Sequence, residues 1–241
     1  MGRALKVLSV FSQDHSAMTL SEISQRSGVP LATAHRFLRE LEEWGAVSRD
    51  SDGVYRIGLR LWEIGMLCPR TEGLREIALP YLEDLAQLTR ENVQLAVRED
   101  SKVVFVERIA GSTAVPVLTK VGANFPPTST SAGLVLLAHA PREVVDEILS
   151  VPSERFTEHT LLDPEKIRKE LVAIRTQGFC ISDRQISMET FSVGAPIVNR
   201  AGHVVAAMSL VVPSEGASPQ TLVPLVRTSA RAISRALAAA R

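Results

Sequence analysis

Thr19-Leu20-Ser21-Glu22-Ile23-Ser24-Gln25-Arg26-Ser27-Gly28-Val29-Pro30-Leu31-Ala32-Thr33-Ala34-His35-Arg36-Phe37-Leu38-Arg39, running on through Trp44-Gly45, reads as two short helices around a sharp turn. Thr19 and Glu22 have the spacing of a capping box, in which each side chain satisfies an orphan amide at a helix start. Ser27-Gly28-Val29-Pro30 ends the first helix, because Gly28 tolerates positive φ and Pro30 disfavours helix before itself while suiting the start of the next. The second helix places Leu31, Ala34, Phe37, Leu38, Leu41 and Trp44 on one face at three- and four-residue spacing, and Gly45 stops it. Its other face begins with Thr33, His35, Arg36 and Arg39. Short polar and cationic side chains at the start of a second helix, after a Gly-containing turn, suit entry into a DNA major groove. An ordinary helical hairpin with a solvated face is the alternative from this stretch alone.

Outward from there, Gly2 to Ser12 reads as a helix with Ala4, Leu5, Leu8 and Phe11 in a stripe and Arg3 and Lys6 off it, and Gln13 to Met18 as a loop. After Gly45, residues 46–49 and 54–57 alternate apolar with polar around Asp50-Ser51-Asp52-Gly53, the pattern of a β-hairpin. Two strands alone are marginal, so they must pack on the helices. Three helices with such a hairpin make a winged helix-turn-helix, its wing carrying Arg49 and Arg56. Arg36 suits bidentate pairing with guanine, Thr33 a thymine methyl or a phosphate, and His35 either task. Arg3, Arg39, Arg49 and Arg56 are better cast as phosphate contacts. For Arg39, among Glu40, Glu42 and Glu43, an intrahelical ion pair is the competing reading.

Composition bounds the partners. The chain has 241 residues, 45% hydrophobic and 22% charged, with zero formal net charge. One large or two modest domains fit that length, and no overall positive field advertises nucleic acid, so any DNA contact must come from locally gathered cations. Cys68 and Cys180 have no metal or disulfide spacing, and the five histidines show no zinc motif. No metal and no cofactor is expected. No GxSxG elbow or Walker loop occurs, so catalysis is not expected either. No apolar run approaches a membrane span and Arg3 precedes no signal core, so a cytoplasmic protein is expected.

Downstream, Gly58 to Leu67 is helix-like and Cys68-Pro69 breaks it. Glu72 to Arg90 is helical through Leu74, Ile77, Ala78, Tyr81, Leu82, Leu85 and Leu88, with Pro80 marking a kink or a start. Strands are expected from Asn92 to Val97, Val103 to Ile109, Ala114 to Lys120, Phe191 to Val198 and His203 to Val212. Helices are expected over Ala132–His139, Pro141–Leu149, Asp163–Gly178 and Gln220–Ala240. Strands in runs with helices around them indicate an α+β domain on an antiparallel sheet. Thr128-Ser129-Thr130-Ser131, ahead of Ala132-Gly133, put hydroxyls and free amides at a helix start. This suits a carboxylate, with simple N-capping as the alternative. Cys180 reads as a buried structural thiol.

Five blocks, Arg3-Ala4-Leu5-Lys6-Val7-Leu8, Leu20-Ser21-Glu22-Ile23, Thr33-Ala34-His35-Arg36, Leu41-Glu42-Glu43-Trp44-Gly45 and Tyr55-Arg56-Ile57-Gly58, resemble the signature of isocitrate-lyase-regulator-type (IclR) transcription factors. The likeness continues through Val121-Gly122, Pro126, Gly133, Ala195-Pro196-Ile197 and Val205-Ala206-Ala207. It implies a winged helix-turn-helix over residues 1–60, a linker helix over 61–74, and a GAF-like effector-binding and oligomerisation domain over 75–241. It further implies a double-stranded DNA operator, a homodimer or homotetramer, and a small-molecule effector, an organic acid or aromatic metabolite, met by Ser131, Ala132, Ser182, Ser192 and Ser209. The chain departs from the family where acidic residues around 183–185 give way to Arg184 and Gln185, where a usual glycine is Glu189, and where a second serine after Ser209 is Val211. An Arg184 turned inward would favour an anion; turned outward it is a surface charge. Two rivals stay open: a second domain that is only a dimer scaffold, and an enzyme domain with a regulatory head.

Overall fold

The capping box at Thr19 forms as the spacing predicts, and the amino-terminal unit is assembled around it. The computed structural model describes residues 2–12, 15–65, 67 and 73–240, and the chain divides into Met1–Glu72 and Gly73–Arg241. In the first unit, α1 (Gly2–Leu8) precedes β1 (Ala17–Thr19), α2 (Leu20–Ser27) and α3 (Leu31–Trp44). The Thr19 amide donates to Glu22 Oε2 at 2.7 Å, and the Glu22 amide donates back to Thr19 Oγ1 at 3.4 Å. Gly28 and Gly45 end the two helices in the left-handed region, at φ 65° and 84°. Then come β2 (Val47–Arg49), β3 (Val54–Ile57) and α4 (Leu59–Gly65), with an antiparallel sheet ordered β1-β3-β2. Val7, Met18, Ile23, Val29, Ala34, Leu38, Val47 and Tyr55 form the core. Burying Leu38 completely is worth roughly 1.5–3 kcal/mol, which fixes which side of α3 faces out.

The second unit opens with α5 (Leu74–Thr89), which continues through Pro80, and then β4 (Asn92–Glu99) and β5 (Lys102–Ile109). After β6 (Asn124–Phe125) come α6 (Ser131–Ala138), α7 (Arg142–Leu149), α8 (Pro164–Gln177), β7 (Cys180–Asp183), β8 (Thr190–Val198), β9 (Val204–Pro213) and α9 (Pro219–Ala239). Asp163 caps α8 ahead of Pro164, and Gly178 closes it at φ 76°. The six strands form one sheet in the order β6-β5-β4-β9-β8-β7, every neighbouring pair antiparallel. Alternate residues of a strand point to opposite faces. Val93, Leu95, Val193, Ala195, Met208 and Leu210 therefore pack with α5 and α9 on one face. Ala96, Phe105 and Ala207 pack with α6, α7 and α8 on the other.

Several expectations need correction. The first helix stops at Leu8, and Leu5 is exposed while Val7 is buried. Residues 17 and 18, read as the end of a loop, belong with Thr19 to a strand bonded to β3, with Met18 facing Tyr55. Leu31, Trp44 and Leu88 lie outside the cores that their helical spacing suggested. Ala114 to Lys120 is not a strand: Pro116 removes a donor, and side chains of β4 hold the segment instead of a ladder. Asn92 Nδ2 donates to the Val115 carbonyl at 2.7 Å, and Gln94 Nε2 to that of Thr119 at 3.1 Å. The partner of β5 is β6, with Val103 opposite Phe125. The expected break at Cys68-Pro69 and residues 13 and 14 of the expected loop lie outside the described residues. Among the described residues, no helix is long and apolar enough to cross a membrane, and no cluster of His, Cys, Asp and Glu could hold a metal.

Candidate functional site

Two sites are built here, one in each unit. In the first, Ala34 and Leu38 anchor α3, so that His35, Arg36 and Arg39 project outward with Thr33 half-buried in the first turn. The Arg36 guanidinium lies over the Phe37 ring, 5.0 Å from its centroid, a stacking that spares the edge donors a guanine would need. Arg39 Nε is 3.7 Å from Glu43 Oε1, so the intrahelical pair raised as an alternative does form. Both partners are exposed, and such pairs are weak enough to exchange for a phosphate. On the wing, Asp50 Oδ1 accepts from the amides of Asp52 and Val54, at 3.2 and 2.9 Å, and sets the turn. Asp50 Oδ2 pairs with Arg56 Nη2 at 3.3 Å. Arg49 folds over the Tyr55 ring, 5.3 Å from its centroid. Arg3 is exposed on α1.

The second site lies on the sheet face that carries α6. Register decides its membership. Ser182 opposes Ser192, and Ser192 opposes Val211. Gly194 opposes Ser209, and Ser209 opposes Gln94. Residues as distant in sequence as Gln94 and Ser209 thus meet in two lateral rows. Ser131, at the start of α6, Ser182, Ser192 and Ser209 line a single cavity of about 40 Å³ together with Gln94, Phe105, Thr119 and Gln185. That exceeds the roughly 10–15 Å³ one water requires. Ser192 Oγ donates to Ser131 Oγ at 3.0 Å, and Ser209 Oγ to Gln94 Oε1 at 3.4 Å. Gln94 Nε2 also donates to the Thr119 hydroxyl, holding residues 117–119 as one wall.

Close packing brings the helix start to this place. A Cβ on Gly194 would lie 2.8 Å from the Ser131 carbonyl carbon and oxygen, so only glycine lets β8 approach α6 so nearly. Thr130 Oγ1 accepts the Gly133 amide at 3.0 Å, which realises the capping alternative. The first-turn amides of Ser131 and Ala132 remain unused within the helix. Ala132 departs from expectation: it does not line the cavity, and its methyl is buried in the core. Arg184 is not turned inward either. Its Nε donates to Asp183 Oδ1 at 3.1 Å and to Ser214 Oγ at 2.9 Å, outside the cavity lining. No lining side chain is ionisable. Nearby, burial raises the Glu91 carboxyl above its ordinary range, although its Oε2 accepts the Val115 amide at 3.3 Å. Cys180 is fully buried, which pushes its thiol well up, with Glu170 adding to the shift. Sequence reading missed Gln94, Thr119 and Gln185 as lining residues. A glutamine inside Val93-Gln94-Leu95 was the available signal, since it had to face something polar.

Residues 70–235 match the family described as bacterial transcriptional regulator IclR, carboxy-terminal, and residues 2–51 match the IclR helix-turn-helix domain. The chain belongs to the IclR family. It is therefore similar to DNA-binding transcriptional regulators along nearly its whole length. The HTH-type transcriptional regulator KipR of Bacillus subtilis is 32% identical over 86% of this chain and 83% of that protein. The glycerol operon regulatory protein of Streptomyces coelicolor is 30% identical over 99% and 96%. An IclR homologue from Microbacterium hydrocarbonoxydans, solved in complex with 4-hydroxybenzoate, superimposes with a TM-score of 0.92. It is 37% identical, over 99% of this chain and 98% of that one. The first two relatives are named as regulators, and the fold matches that of the Microbacterium homologue along nearly the whole chain.

Proposed function

We propose that this IclR-family chain is an oligomeric, effector-responsive regulator whose effector is a small aromatic carboxylic acid. The observation that carries the reading is the uncharged cavity at the start of α6. Hydroxyls of Ser131, Ser182, Ser192 and Ser209 and the wall of Phe105 and Val211 line it. A carboxylate there can take charge-assisted hydrogen bonds from hydroxyls and first-turn amides without a buried cation. An aromatic ring suits Phe105 and the aliphatic side chains. The ligand of the Microbacterium relative is an acid of that class. An enzyme reading has less support, because a serine with no neighbouring base is not an activated nucleophile.

On the DNA side, Thr33, His35 and Arg36 are assigned to base edges, and Arg3, Arg39, Arg49 and Arg56 to phosphates. Two copies must engage half-sites about 34 Å apart or a multiple of that. An effector that prefers one arrangement of the copies shifts operator affinity by its difference in affinity for the two arrangements. The test is an operator titration of the full chain, with and without 4-hydroxybenzoate, beside calorimetry of the same acid. Expected are saturable heat and a shifted operator affinity. Equal affinity of the acid for free and DNA-bound protein would rule out this coupling, and no saturable heat would favour a scaffold-only second domain.

A further inference from the structure

We infer that Gln185 is a specificity-determining residue of the cavity, its side-chain oxygen selecting acids that also carry a hydroxyl proton. The inference rests on the aromatic-acid reading above. Among the described residues, two buried side-chain polar atoms have no hydrogen-bond partner, Ser129 Oγ and Gln185 Oε1. Gln185 lines the cavity and Ser129 does not. Several polar neighbours in the cavity are engaged with one another. Ser192 donates to Ser131, Ser209 donates to Gln94, and Gln94 donates to Thr119. The Gln185 oxygen is thus an acceptor awaiting a donor, and leaving a buried acceptor unmatched costs free energy.

The side chain is held where it is by its backbone. Thr160 Oγ1 donates to the Gln185 carbonyl at 2.7 Å, and Thr157 Oγ1 to that of Arg184 at 2.6 Å. The Arg184 amide donates to the Thr190 carbonyl at 2.9 Å, with Arg184 at φ 57°. This clamp resists swinging residue 185 into solvent. A ligand carboxylate has only acceptor oxygens and is repelled by the Gln185 oxygen, so it belongs with the hydroxyls and amides at the start of α6. The group that meets Gln185 Oε1 must be a donor on the ring, and a phenolic hydroxyl is a strong one.

Calorimetry on the full chain with benzoate, 4-fluorobenzoate, 3-hydroxybenzoate and 4-hydroxybenzoate tests this. Fluorine matches the size of a hydroxyl but brings no proton. At least one hydroxybenzoate should bind about tenfold or more tightly than both non-hydroxylated acids. Gln185→Met should bring that ratio to about parity while still binding benzoate, and Gln185→Glu, which keeps an acceptor, should preserve the preference. Equal binding of all four acids by the unaltered protein, or a preference that survives Gln185→Met, would overturn the inference and leave the aromatic-acid reading standing. Binding of none of the four would overturn both.

Discussion

Gly194→Ala isolates the contact on which the cavity at the start of α6, the proposed effector site, depends. Its new methyl would sit 2.8 Å from the carbonyl carbon and oxygen of Ser131 and 3.0 Å from the Ala132 nitrogen. These are backbone atoms in the buried first turn of α6, so no flexible side chain can yield. The clash is about 0.6 Å inside the 3.4 Å at which ordinary contact begins, and β8 and α6 must part by about that much. Overpacking of this kind costs about 1–3 kcal/mol. For a chain of this size that corresponds to a fall of about 2–12 °C in Tm. The same separation stretches the 3.0 Å bond between Ser192 and Ser131 and withdraws the helix start. Effector affinity should then fall about tenfold or more, as when a hydrogen bond to a charged group is lost.

The assay is thermal unfolding and effector calorimetry of the full chain, with Gly202→Ala as the control. Gly202 has φ 81° and no atom near its would-be Cβ. Alanine there should cost about 1–2 kcal/mol through backbone strain while leaving effector affinity unchanged. A Gly194→Ala protein with wild-type Tm, or one with lowered Tm and unaltered affinity, would refute the reasoning.

Other outcomes follow from the first unit. Arg36→Ala should weaken specific operator binding by roughly 1–3 kcal/mol and relax sequence preference. Arg49→Ala should weaken all duplexes alike and reduce the salt slope by about one; equal effects on every sequence for both variants would overturn the division of roles. Thr19→Ala should lower stability by about 1 kcal/mol through the lost cap, measured by denaturant titration. The pH dependence around that cap has a definite sign. The Thr19 amide and hydroxyl hold the Glu22 carboxyl below its ordinary value. Its contribution is therefore full above the unfolded-state pKa and is lost as pH falls through the lower folded pKa. Glu22→Gln should abolish that acid-limb loss, with Thr19→Ala shrinking it in part because the amide bond remains; an unchanged limb in Glu22→Gln would show that Glu22 is not the group responsible.

The parts that could be read directly carried their own local chemistry. Thr19 with Glu22, Asp163 with Pro164, and Asp50 through Gly53 each satisfy nearby amides, and each appears in the structure where expected. What escaped reading depended on partners far along the chain. Ala17–Thr19 is three residues long and becomes a strand only because β3 pairs with it. The apolar run from Ala114 to Leu118 imitated a strand, yet Asn92 and Gln94 bind the Val115 and Thr119 carbonyls with side chains. Ser131, Ser182, Ser192 and Ser209 came from likeness to a family rather than from spacing. Sheet register explains why the three strand serines converge and why Gln94 joins them, while Ala132, on α6, turns its methyl into the core. Gln185 was visible only as a departure from the usual residues.

A strand of the effector sheet does two jobs by parity. On β8 and β9, one set of alternate residues, including Val193, Met208 and Leu210, builds the interior with α5 and α9. The intervening set, including Ser192, Ser209 and Val211, lines the cavity. Exchanging the side chain of Ser192 or Ser209 changes the cavity wall while leaving the residues packed on α5 and α9 in place, whereas Gly194, of the same parity, admits no larger side chain. A single-residue slip in pairing would exchange the two sets and ruin both at once.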